Sequence, residues 1–204
     1  ERQGAQAVFV APDGEGHIRP ADVLERVDGN TALVSLMAVN NEIGTVLPIQ
    51  ALTAAIKKKA PKALVHCDGV QAFGKLPINL KAWGVDLFTF TGHKIHAPKG
   101  VGALYIKKGV HLPPLVRGGK QQRGLRPGTE NVAFAAALAL AAKRCAKDRA
   151  RNMERVTALR DRLLAWAAAD GGVQINSPQD ALPYLVNLSV PGFRSETLLH
   201  FLAE

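Results

Sequence analysis

The chain has 204 residues, 47% of them hydrophobic, which is enough for one large domain or two small ones with a sizeable core. No run of about 18 apolar residues appears, so no membrane span is expected, and two cysteines without metal-ligand spacing argue against a disulfide scaffold or a metal site and for a reducing compartment. The formal charge of +9 would suit nucleic acid or another anion, but no recognition motif accompanies it and aromatics are only 5%, so solvated faces around one anionic ligand site is the preferred reading.

The chain starts "ERQGAQAVFV" without an initiator Met and ends "HFLAE" inside a helical pattern. It therefore reads as an internal fragment, for which a missing targeting signal means nothing. "ALVSLMAVN", residues 32–40, is an almost continuous apolar run and predicts a strand buried on both faces. "NEIGTVL" is a loop, and Pro48 opens a helix through "IQALTAAIKKKA" that carries Lys in its last turn and stops at Pro61. "KALVHCD" predicts a second short buried strand, "GVQAFGKLPINLKAWG" a turn and a short helix, "VDLFTFT" a third strand and "GALYIKK" a fourth. "GGKQQRGLRPGTEN" is a basic, glycine-rich loop. Residues 131–170 hold no Gly or Pro and predict one long helix or two in succession. "VQINSP" and "YLVNLSV" look like strands, and "SETLLHFLAE" like a helix with Ser195 as its N-cap. Strands alternating with helices give an α/β class with a mainly parallel sheet flanked by helices. Residues 1–142 would form part of a large domain, and 143–204 a long connecting helix and part of a smaller α+β domain.

The first three strands each end in polar residues: Asn40 and Asn41, then Asp68, then Thr91, Gly92, His93 and Lys94. In open parallel sheets, ligands bind outside the carboxyl ends of the strands, so an Asn, an Asp, a His and a Lys should converge in one crevice. Each residue alone has an ordinary reading: Lys94 as a solvated side chain, Asp68 as a turn or cap residue, His93 as a structural histidine, Asn41 as a loop residue tolerant of positive φ. Their joint placement favours a site. A Lys in an apolar-walled site can attack a carbonyl and form an imine, a strand-end Asp can hold a protonated ring nitrogen, and small polar groups with glycine amides can hold a phosphate. Those are the requirements of pyridoxal phosphate.

"VNNEIG", "HCDGVQAFGKLPI", "TGHKIHAPKGVGALY" and "RGLRPGTEN", in this order and spacing, resemble the cysteine desulfurases, class V members of the fold type I pyridoxal phosphate enzymes. The tail "PGFRSETLLHFLAE" resembles the segment before that family's catalytic loop. The resemblance implies removal of sulfur from L-cysteine to give L-alanine and an enzyme persulfide, used for iron–sulfur clusters or other sulfur transfer. It implies Lys94 as the imine lysine, Asp68 as the partner of the pyridine nitrogen, Gln71 as a donor to the phenolic oxygen, and Asn41 as a second contact on that side. It implies Thr91 and His93 as phosphate ligands, and Thr129 as the residue reaching the phosphate of a neighbouring subunit, hence a homodimer. A sulfur-acceptor or scaffold protein and a bacterial cytoplasmic location follow from the same resemblance, with no role for nucleic acid or membrane.

The family's ring-stacking His and first cofactor loop would fall upstream of Glu1, and its persulfide-forming Cys beyond Glu204. Cys67 adjoins Asp68 on a strand and so should face the opposite side, and Cys145 lies in an Ala-rich helix. Neither is expected to carry sulfur, so the isolated chain is expected to be inactive. Three other readings stay open: a different class V enzyme such as a selenocysteine lyase or small aminotransferase, a non-catalytic dimerisation or binding fragment, and an anion or nucleic-acid binder.

Overall fold

A computed structural model describes residues 4–203. Four strands, β1 (Leu33–Met37), β2 (Leu64–Asp68), β3 (Leu87–Thr91) and β4 (Gly102–Ile106), lie side by side in that order. The first three run parallel, and β4 returns antiparallel to β3. The helices α1 (Pro20–Glu25), α2 (Ile49–Lys59) and α3 (Leu80–Trp83) alternate with them. The mainly parallel sheet flanked by helices is thus what the alternating pattern led one to expect.

The register sorts the strands into two faces. Val34 and Leu36 stand beside Val65 and Cys67, and Cys67 beside Phe88. This face packs on the α2 stripe of Ile49, Leu52 and Ile56, whose spacing of three and four residues puts them on one side of a helix. The other face carries Ser35, His66 and Asp68, with Thr89 beside Asp68. Here β1 departs from expectation. It is an edge strand with a helix on one side only, so Leu36 is buried while Leu33 and Met37 remain 53% and 38% exposed. The apolar run looked two-sided because Ala38 and Val39 are fully buried just after the strand ends, where Val39 bridges Val46. Strand β2 likewise alternates, with Val65 and Cys67 buried and Leu64, His66 and Asp68 only partly so.

Asp86 ties the layers together. It is 3% exposed, its Oδ2 accepts from the Val65 N–H at 2.9 Å, and it takes the ammonium groups of Lys57 on α2 and of Lys107 at 3.3 Å just after β4. Burial pushes its pKa up, but the Lys57, Val65 and Lys107 hydrogen bonds outweigh burial and leave it below the ordinary value. A depressed carboxyl pKa contributes stability that is present above the unfolded value near 4 and lost as pH falls through the folded value. Asp86→Asn is therefore expected to destabilise the fold by about 2–3 kcal/mol at pH 7. The gap from the parent should narrow below about pH 4. Urea unfolding at pH 7 and pH 3 checks both.

The 39-residue α4 (Val132–Asp170) is one uninterrupted helix, about 58 Å long at 1.5 Å per residue. Asn131 caps it by accepting from the Phe134 N–H at 3.1 Å, and Gly171 ends it in the left-handed conformation. The pair β5 (Gln174–Ile175) and β6 (Leu188–Ser189) is antiparallel, and α5 (Ser195–Ala203) follows. Ser195 is not the cap expected of it: it already lies in the first turn, and the Arg194 carbonyl accepts from the Leu198 N–H. Among the described residues no helix is long and apolar enough to cross a membrane.

Candidate active site

The β2 end supplies the carboxylate. Asp68 lies on the face opposite Cys67, and its Oδ1 accepts from the Val70 N–H at 2.9 Å, which fixes the carboxylate and leaves the second oxygen without a partner among the described residues. The following residue must be glycine: a Cβ on Gly69 would come within 1.9 Å of the Phe88 ring. The Gly69 carbonyl then accepts from the Ala72 and Phe73 N–H groups at 3.0 and 2.7 Å, which closes a turn that carries Gln71. Phe73 stacks on Phe90 with ring centroids 3.8 Å apart, clamping this turn to β3.

The β3 end supplies the basic and hydroxyl groups. After Thr91 the chain enters a 3₁₀ turn, Gly92–Ile95, and leaves it through His96 at φ 65°. A Cβ on Gly92 would sit 2.9 Å from the Val101 side chain and 3.1 Å from its carbonyl, so only glycine lets the turn fold back onto the start of β4. Thr91 Oγ1 and His93 Nδ1 are hydrogen bonded at 3.0 Å and form one polar unit. Ile95 is buried, and Cys145 on α4 donates from Sγ to its carbonyl at 3.8 Å. The long helix therefore props the turn directly behind Lys94. Lys94 itself is exposed and has no hydrogen bond or ion pair among the described residues. The apolar wall expected around it is not supplied by them.

At the β1 end the two asparagines divide. Asn40 Oδ1 accepts from the Glu42 and Ile43 N–H groups at 2.8 and 3.0 Å, and its own N–H donates to Thr45 O, so it builds the loop. Asn41 is exposed beside it with no such duty. Thr129 is also exposed, in the loop before α4, and no hydrogen bond joins it to the others. The described chain thus gathers Asp68, Gln71, Thr91, His93 and Lys94 at two neighbouring strand ends, with Asn41 on the next loop and Thr129 apart.

Two features escaped the sequence reading. Ser35 Oγ meets His66 Nδ1 at 2.8 Å, and His66 Nε2 meets Thr89 Oγ1 at 3.1 Å, forming a polar row across three strands beside Asp68. Burial lowers the His66 pKa, with Asp68 opposing, which favours the neutral ring, one nitrogen donating and the other accepting. The signal was present, since a Ser, a His and a Thr each sit two residues before a strand end. The second feature is Lys75, whose Nζ donates to both the carbonyl and the Oε1 of Gln71 at 3.2 Å.

Cys67 lies on the face opposite Asp68, as expected, and Cys145 sits in α4. Cys67 is 0% exposed, and burial, with Asp68 adding to it, pushes its thiol up to about 12. Cys145 is partly buried, and burial raises its thiol too, against the opposing charge of Lys75.

The aminotransferase class-V family model matches residues 1–204. The chain belongs to that family. Among relatives of this class-V chain, "Cysteine desulfurase 2" of Trichormus variabilis is 41% identical over 201 residues, covering 98% of this chain and 50% of that protein. The "NifS/IcsS protein homolog" of Lactobacillus delbrueckii subsp. bulgaricus is 39% identical and covers 100% of this chain and 54% of its own length. The class-V chain thus spans about half the length of the curated relatives it matches. Among solved structures, a NifS-like protein superposes with a TM-score of 0.94 at 38% identity, covering 99% of this chain and 55% of that one. DndA from Streptomyces lividans gives 0.87 at 36% identity, with 99% and 57% covered. The fold expected of the class-V chain, that of the fold type I enzymes, is borne out by these likenesses.

Proposed function

We propose that this chain is the cofactor-holding part of a pyridoxal phosphate-dependent cysteine desulfurase acting on L-cysteine. The observation that carries the reading is the pairing of two strand ends. A fixed carboxylate with one oxygen left over ends β2, and a joined Thr91–His93 pair with an unpartnered amine at Lys94 ends β3. Relatives that bear the name cysteine desulfurase support the choice of substrate. The donor set fits the cofactor, since each kind of group it must meet is present. Bound pyridoxal phosphate would supply an electron sink for the α-carbon of the amino acid. Asp68 would keep the ring nitrogen protonated, and Gln71 would donate to the phenolic oxygen with Asn41 as a second contact. Thr91 and His93 would hold the phosphate, and Lys94 would hold the cofactor covalently. In a homodimer Thr129 would serve the neighbouring subunit. Residues 1–142 would then belong to the cofactor domain, and 143–204 to the connecting helix and a smaller domain. A separate acceptor protein in the cytoplasm would take the sulfur.

The test uses the protein expressed from its complete natural reading frame. With pyridoxal phosphate, L-cysteine and a reductant it should release alanine and sulfide in equal amounts, and failure to do so with cofactor bound would refute the desulfurase reading. Asp68→Ala should keep the fold. It removes a charge-assisted hydrogen bond worth about 1.5–3 kcal/mol, so cofactor affinity should fall by roughly 10- to 150-fold, with a large loss of turnover. Turnover at near-parent rate would show that Asp68 has another role.

A further inference from the structure

We infer that Lys75 is a positioning residue that sets which end of the Gln71 carboxamide faces the cofactor. The inference rests on the pyridoxal phosphate reading above. Gln71 is 8% exposed, three residues past Asp68, and its amide has two chemically opposite ends. Lys75 Nζ lies 3.2 Å from Gln71 Oε1 and 3.2 Å from the Gln71 carbonyl. An ammonium has donors only, so it selects the oxygen end of the amide. The nitrogen end is left as the donor, and Nε2 has no partner among the described residues.

Lys75 is itself held in place. Its Nζ sits 5.8 Å from the centre of the Tyr184 ring, a cation–π contact with the segment before β6. Lys94, Cys145 and Tyr184 are the titratable groups around it. Burial and the charge of Lys94 lower the Lys75 pKa while Cys145 opposes, so Lys75 lies within electrostatic reach of the lysine that would carry the cofactor. Among the described residues no hydrogen bond other than that of Lys75 fixes the Gln71 amide. Without it the carboxamide is free to turn and offer an acceptor to a phenolic oxygen that needs a donor.

The experiment titrates the visible absorbance of the bound cofactor against pH in the protein from its complete reading frame. A donor on the phenolic oxygen stabilises its anionic form and lowers the titration midpoint. Lys75→Met keeps the length and removes the donors, so the midpoint should rise by about 0.5–1 unit, and cofactor affinity should fall. Lys75→Arg, which keeps the donors, should restore the parent midpoint. Loss of the Lys75 charge alone would also raise the midpoint, and a double-mutant cycle separates the two effects. In a Gln71→Ala background, Lys75→Met should add little further shift if Lys75 acts through Gln71. An equal shift in both backgrounds, or none in either, overturns the inference. Should Lys75→Met fail to fold, Lys75→Leu, which likewise has no donor, carries the same comparison. If the parent binds no cofactor, or Lys94→Ala keeps the parent spectrum, the site reading fails instead, and the inference falls with it.

Discussion

Lys94→Ala should abolish the visible band of the covalently attached cofactor, and borohydride should no longer fix the cofactor to the protein. The argument begins with how the chain places the amine. Strand β3 is buried at Leu87 and Phe88, and the 3₁₀ turn after it is anchored at Ile95 under α4. The backbone of Lys94 is therefore held while its side chain remains exposed and unpaired among the described residues. A lysine with no structural partner can be truncated with little cost to folding, because surface substitutions away from special features stay within about ±0.5 kcal/mol. With cofactor removed from both, the unfolding midpoint of the variant should match the parent. Loss of the covalent attachment alongside an unchanged midpoint separates a chemical role from a structural one. A variant that still shows a reducible cofactor band would remove Lys94 from its assigned place.

Much of this site was legible because a parallel sheet leaves little choice. Once "VDLFTFT" is a strand, its carboxyl end must deliver Thr91, His93 and Lys94 to the same edge as Asp68. The alternation rule also puts Cys67 behind the sheet, and the structure has it fully buried there. What stayed hidden were relations between side chains that no single segment announces. Asn40 and Asn41 are chemically identical, and only the loop hydrogen bonds show that Asn40 is committed to structure. The Ser35–His66–Thr89 row needs the register of three strands, which is set by pairing across more than fifty residues. The exposed face of β1 was misread because an apolar run does not reveal which side a helix covers. Helix α1 was overlooked because its six residues are too few to show a period, though Pro20 at its first position was a usable mark.

The chain of 204 residues by itself should not release sulfide and alanine from L-cysteine, even with pyridoxal phosphate added. The chemistry has two parts: the cofactor groups activate the amino acid, and a thiolate must attack its sulfur. The chain has two cysteines. Cys67 is fully buried on the face away from Asp68, and burial pushes its thiol up to about 12, which disfavours the thiolate at pH 7. Cys145 lies partly buried on α4 with its Sγ turned to the Ile95 carbonyl, and burial raises its thiol pKa. Exposed apolar side chains such as Leu33, Val132 and Trp166 should also drive association of the isolated chain. The measurement incubates the purified chain with cofactor, L-cysteine and a reductant and assays both products, with light scattering to follow its state. If both products appear in equal amounts and vanish on Cys67→Ala or Cys145→Ala, the sulfur acceptor lies within this chain, and the exclusion of its two cysteines from that role is wrong.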